Sequence, residues 1–245
     1  QLLRRLKERG KLLPRVSMMI GADALEESRT FVWSGSPDHL RPGAVKVIIQ
    51  VATGSLNPPQ EELNQLVLRV HEMGLQLAFH VDEAETLEAS VTSLEYALSK
   101  APRTHHRHRM EHCSVCPPHL MKRLKQIGAM VVTQPPFVYY SGERYLATVP
   151  PNDLKWLYAI GSLRSSGIRV ASSSDAPVVP FNPLVGIYAS VTRKAASGQT
   201  LLPHESISAL DALKSYTVDA AWAGFEEESK GQISPNKLAD LVVLS

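Results

Sequence analysis

Short apolar runs alternate with amphipathic stretches along almost the whole chain. The runs at 16–20, 44–51, 75–80, 108–112, 130–134 and 168–172 are rich in strand-forming residues and read as six strands. Between them, Leu63, Leu66, Val67 and Val70 recur at helical spacing and end at Gly74, while Leu87, Val91, Leu94 and Leu98 mark the next helix face. Leu120, Leu124 and Ile127 form a third, stopped by Gly128. Leu154, Leu157 and Leu163 form a fourth, opened by Asn152, whose side chain accepts from free first-turn amides. This rhythm is that of βα units around a parallel sheet. After the sixth strand come a loop with Pro177, Pro180 and Pro183, helical stretches at 186–196 and 208–223, and a last apolar run at 241–244. That run follows the turn-like Ser234-Pro235-Asn236-Lys237 and is expected to pair outside the main sheet.

Composition narrows the classes. A chain of 245 residues with 44% hydrophobic and 20% charged residues excludes disorder and fibrous structure, and one compact unit accommodates it. Lys and Arg total 26 against 24 Asp and Glu, and this near-balance gives no broad field for nucleic acid or an anionic membrane. The expected partner is a small-molecule substrate, with no nucleic acid and no membrane, and a homodimer remains compatible. Cys113 and Cys116 are the two cysteines, too few for a disulfide framework, so a reducing compartment, the cytoplasm, is expected. The chain opens at Gln1 with Leu2, Leu3 and Leu6 already at helical spacing, so an N-terminally truncated fragment is expected.

In βα architectures chemistry sits at the carboxyl ends of strands. His80 and His112 close two predicted strands, and Asp175 follows another. Lys46 stands inside a run that reads as buried on both faces, where an unpaired lysine is rarely tolerated. The separations in sequence match one, one and about two βα units, so the four side chains are expected to converge on one pocket. Two imidazoles and a carboxylate suit a divalent ion, most plausibly Zn²⁺, with Asp175 placed to accept a proton from water. Plainer readings stay open: loop-bonded histidines, a lysine that snorkels, a turn aspartate. The basic stretch from Arg103 to Arg109, with His105, His106 and His108, reads as a solvated loop ahead of nucleic-acid contact, since no stacking aromatics interleave it. A zinc knuckle from Cys113, Cys116, His112 and His119 lacks a second Cys pair.

Beyond single residues, Arg109-Met110-Glu111-His112-Cys113 and Ser174-Asp175-Ala176-Pro177-Val178 resemble the Arg-x-Glu-His and Ser-Asp-Ala-Pro-Val segments of the amidohydrolase superfamily. The closing Lys230-Gly231-Gln232-Ile233-Ser234-Pro235 and Lys237-Leu238-Ala239-Asp240-Leu241-Val242-Val243-Leu244 fit the same pattern. The resemblance is to the YtcJ-like branch (amidohydrolase family 3), which includes N-substituted formamide deformylase, and covers about residues 44–245. It implies a metal-dependent (β/α)8 TIM barrel, here strands 3 to 8, over residues 1–230, and a returning strand of a small β-sandwich over 231–245.

The resemblance further implies Lys46 as a carbamylated bridging ligand, His80 and His112 as imidazole ligands, Asp175 as ligand and general base, and one or two divalent ions. Cleavage of a non-peptide C–N bond in a small amide or N-formyl compound follows. Arg144 and Gln134, expected in loops after the strand at 130–134, are candidate substrate contacts. The chain departs from the pattern in three places. No His-x-His pair precedes Lys46, where only His39 stands; Gln50-Val51 replaces Asp-Gly after Lys46; and Val81-Asp82-Glu83-Ala84 follows His80 in place of a Gly-Asp loop. The incomplete ligand set leaves a non-catalytic, barrel-derived binding or scaffold protein as the alternative.

Overall fold

The computed structural model describes residues 2–25, 40–52 and 54–243; His39 and Leu244 lie outside them. The described strands are β1 (Val16–Gly21), β2 (Leu40–Ile48), β3 (Gln50–Ala52), β4 (Ser55–Asn57), β5 (Leu77–Val81), β6 (Arg109–His112), β7 (Met130–Thr133) and β8 (Val170–Ser172). Six of them form one parallel sheet in the order β1-β2-β5-β6-β7-β8, each at a run read from the sequence. β1 and β8 do not pair, so this sheet is open. The expected strand at 44–51 divides: its last residues leave the sheet to form the antiparallel hairpin β3-β4.

Side chains of a strand alternate between faces, and the register turns this into two surfaces of different chemistry. Val45, Val47, Leu77, Phe79, Val81, Met110, Val131 and Val170 join one apolar core with the helices α2 (Gln60–Glu72), α3 (Ala84–Lys100) and α4 (Pro118–Ile127), which follow α1 (Leu2–Glu8). Each fully buried aliphatic or Phe side chain there contributes about 1.5–3 kcal/mol. Leu63, Val67 and Val70 are the buried face of α2, and Leu120 and Leu124 that of α4, which stops at Gly128 with φ +69. On the other face, rows across the sheet carry Lys46-Ala78-Arg109-Met130 and Ile48-His80-Glu111-Val132-Ala171. Met130, Val132 and Ala171 are covered by Ala223, whereas Lys46, His80, Arg109 and Glu111 bring polar groups to that face beside Ile48 and Ala78.

Three expectations about helices change. Residues 136–148 form α5 (Pro136–Thr148), so Arg144 stands on an exposed helical position and not in a loop. The stretch expected as one helix from Asn152 is two short ones, α6 (Pro151–Leu154) and α7 (Ile160–Ser165). Pro151 takes the first helical position instead of an Asn152 cap, and Tyr158 at φ +46 prevents continuation. After α8 (Pro183–Thr192), the stretch 208–223 opens on a Ser208 cap and breaks at Thr217 (φ −122, ψ −85) into α9 (Ala209–Tyr216) and α10 (Val218–Ala223). Leu241, Val242 and Val243 lie in no strand and are exposed. No helix of the described residues is long and apolar enough to cross a membrane.

The basic stretch before β6 is engaged by the chain itself. Arg103 donates to the His71 and Leu75 carbonyls, and Arg107 to Glu227 while lying over the Trp222 and Phe225 rings. His71, His106 and His108 pack together, all buried. Each is satisfied as a neutral ring. The Leu77 amide donates to His108 Nδ1, so His108 Nε2–H donates to His71 Nδ1 (2.8 Å) and His71 Nε2–H to the Ala101 carbonyl (2.7 Å). His106 accepts from the His108 amide and donates to the Ile127 carbonyl.

Burial pushes His106 below the ordinary histidine value of 6.5 and His108 down to about 2. The folded state therefore keeps both rings neutral while the unfolded chain takes up protons below that value. Stability is expected to be complete above about pH 6.5 and to fall as pH drops below it, with His108 contributing about 1.4 kcal/mol per pH unit toward about 2 and His106 acting in the same direction. Urea melts at pH 7.5 and 5.0 check this, and equal stabilities would contradict it.

Candidate functional site

His80 is the fourth residue of β5, and His112 ends β6 opposite Val81. Alternation alone would put His112 on the apolar helix side. Instead His112 and Cys113 adopt φ +68 and +50, a backbone that non-glycine residues seldom take, and the chain swings the imidazole onto the His80 ring. The ring centroids are 4.6 Å apart and nearly perpendicular, with His112 Nε2 3.1 Å from His80 Nδ1.

The outer nitrogen of each ring is held. Gln134 Oε1 lies 2.8 Å from His112 Nδ1, and the Gln134 amide nitrogen donates to Ser173 Oγ (3.0 Å) and faces the Val132 carbonyl (3.5 Å). A carbonyl only accepts, which fixes the amide orientation and makes His112 Nδ1 the protonated nitrogen. On the other side Asp82 Oδ2 is 2.9 Å from His80 Nε2, and Ser114 Oγ donates to Asp82 Oδ1 at 3.3 Å. The bond from His80, reinforced by the nearby His112 and by Ser114, holds the Asp82 carboxyl below the usual carboxylate range. A carboxylate accepts, so His80 Nε2 donates, and in the neutral ring Nδ1 then keeps its lone pair. In that state two lone pairs lie 3.1 Å apart, an arrangement able to hold a cation. That separation suits two ligands of one ion at metal–nitrogen distances of about 2.0–2.1 Å, and held outer nitrogens are the usual support of metal-binding histidines.

The ligand atoms of His80, Asp82 and His112 lie within 4.8 Å of one another. Lys46 and Asp175 are outside that group but at the same end of the sheet. Lys46 is half-buried near the end of β2, and Asp175, exposed and at φ +56, follows β8. Burial pushes the Lys46 ammonium below the ordinary lysine value. Glu111 pulls it back, Arg109 pushes it further down, and Asp175 and Asp82 act with Glu111, so all four charges reach this one lysine. Arg144 is exposed on α5 with its guanidinium 4.7 Å from the Tyr145 ring centre. Gln134 is buried, and its amide is engaged on both sides by His112 and Ser173. Beside the histidines, Ile48, Gln50, Val51, His80, Asp82 and Thr86 line a cavity of about 340 Å³, within the size range of small-molecule sites.

The model of the amidohydrolase family (Amidohydro_3) matches residues 1–245. The chain belongs to the amidohydrolase family. It is 30% identical over 189 residues to YtcJ of Bacillus subtilis, covering 76% of this chain and 35% of that one. It is 27% identical over 187 residues to N-substituted formamide deformylase of Arthrobacter pascens, covering 76% and 34%. The chain thus spans about a third of the length of the curated relatives it matches. A crystal structure of an uncharacterized metal-dependent hydrolase from Pyrococcus horikoshii OT3 superposes with a TM-score of 0.81 at 21% identity, over 97% of this chain and 51% of that one. At that identity the likeness establishes the fold: the open sheet is six strands of a partial (β/α)8 barrel.

Sequence reading passed over Asp82 and Ser114. The available signal was a carboxylate two residues after a strand-end histidine, in the loop that departs from the family pattern. Gln134, expected to touch substrate, also holds His112 Nδ1. A Gln134→Leu substitution leaves the buried His112 N–H without an acceptor and is expected to cost about 1–3 kcal/mol of stability. Denaturant midpoints measure this, and an unchanged midpoint would contradict the assigned bond.

Proposed function

We propose that this chain forms part of the active site of a metal-dependent hydrolase that cleaves a non-peptide C–N bond in a small amide or N-formyl compound. The observation that carries the reading is the 3.1 Å approach of His80 Nδ1 to His112 Nε2, with a partner on the far nitrogen of each ring. His80 and His112 would hold a divalent ion, Zn²⁺ first, with Lys46 and Asp175 as further ligands from the same strand ends. Such an ion, when bound, polarises a carbonyl and lowers the pKa of water toward about 7. Asp175 takes the proton of the attacking water on a carboxylate oxygen and returns it to the leaving amine nitrogen. Its exposed position at the carboxyl end of β8 leaves it open to both. Burial favours the neutral amine of Lys46, the form that adds CO₂ to give a carbamate and release a proton. The relationship to a formamide deformylase and the small cavity support the substrate class.

Metal analysis beside turnover on a panel of N-formyl amines and simple amides tests this. Asp175→Asn is expected to keep most of the bound metal and lose about 10²–10⁴-fold in kcat, while His112→Ala loses the metal itself. Undiminished turnover in Asp175→Asn would remove the proposed base, and turnover by metal-free protein would remove the mechanism.

A further inference from the structure

We propose that Asp82 is a positioning residue: its carboxylate keeps the ring proton of His80 on Nε2, so that Nδ1 stays open to an ion shared with His112. The proposal rests on the reading of the two imidazoles as metal ligands and adds the group that sets the tautomer of one of them.

A neutral imidazole has one proton and two places for it. At His80 both places have a partner, Asp82 Oδ2 at 2.9 Å from Nε2 and His112 Nε2 at 3.1 Å from Nδ1. His112 Nε2 is a ready acceptor because that ring's own proton sits on Nδ1, against Gln134 Oε1. Two arrangements therefore compete. With the proton on Nε2, His80 bonds the carboxylate and the space between the rings admits a cation. With the proton on Nδ1, His80 bonds His112 and closes that space. A bond to a charged acceptor is about twice as strong as one between neutral groups, so Asp82 decides for the open arrangement.

Asp82 is itself held in place. Its Oδ1 accepts from Ser114 Oγ, which is 3.2 Å from the hydroxyl of the buried Tyr158, and Tyr158 in turn approaches the Tyr145 hydroxyl at 3.4 Å. Three hydroxyls, from helix α5, the turn before α7 and the loop after β6, thus form a chain whose last member, Ser114, reaches the exposed carboxylate. Tyr158 reaches this position from a backbone at φ +46, in the turn between α6 and α7. Removing an outer partner of a ligating histidine typically weakens metal binding 10- to 100-fold.

The test uses the full chain with ¹⁵N-labelled histidine. Ring-nitrogen NMR of the metal-free protein is paired with competition titration of Zn²⁺ for the wild type, Asp82→Ala and Asp82→Glu. Asp82 is exposed, so these substitutions leave the core untouched. The wild type is expected to carry the His80 proton on Nε2. Asp82→Ala is expected to move it to Nδ1 and to weaken Zn²⁺ binding 10- to 100-fold, with Asp82→Glu restoring part of both. A proton that stays on Nε2 in Asp82→Ala overturns the proposal, whether Zn²⁺ binding is unchanged or is weakened because Asp82 is a ligand. If the wild type binds no Zn²⁺ while the proton still follows Asp82, the metal reading fails and the positioning of His80 stands.

Discussion

Two imidazole nitrogens facing each other at 3.1 Å, each with its proton drawn to the far side of its ring, are the constraint on which the site depends. Such a pair is unfavourable unless a positive charge lies between, and the fold must supply strain and partners to hold it. It does so with a left-handed backbone at His112, a buried glutamine behind one ring and an aspartate behind the other. Their common consequence is two imidazole nitrogens held face to face, where we propose that a cation binds.

The sheet makes the arrangement affordable in structural terms by separating its two faces. The helix-facing side is a continuous apolar core from β2 to β8, which frees the opposite side to carry Lys46, His80, Arg109 and Glu111. Arg109 and Glu111 pair with each other at 2.6 Å, and both reach Lys46 electrostatically, Glu111 favouring its charge and Arg109 opposing it. At the entry to β6, a second set of histidines shows the opposite use of the same residue. His71, His106 and His108 have every ring nitrogen bonded within the chain, and burial holds His106 and His108 neutral. At the His80–His112 pair the outer partners are Gln134 and Asp82, and the two inner nitrogens meet only each other, at the carboxyl end of the sheet.

The six strands and the α2, α3 and α4 faces were legible because burial on one or both sides imposes a period that survives in the residue order. The breaks at Tyr158 and Thr217 were not, since nothing local marks a tyrosine or threonine for an unusual backbone; contacts distant in sequence impose it. His80 and His112 were found from their places at strand ends, but their direct contact depends on the turn at His112, which strand alternation alone would deny. Gln134 looked like a substrate contact because a polar residue after a strand usually faces a pocket, yet its partner is an imidazole on the neighbouring strand. Arg144 was misplaced because Pro136 and Gly142 concealed the helix that carries it.

Zinc-edge anomalous diffraction from crystals of the zinc-loaded protein tests the central claim most directly, because it locates the ion without reference to activity. The expected result is a peak within bonding distance, about 2.0–2.1 Å, of both His80 Nδ1 and His112 Nε2. A peak elsewhere, or none between the two rings at saturating zinc, would contradict it.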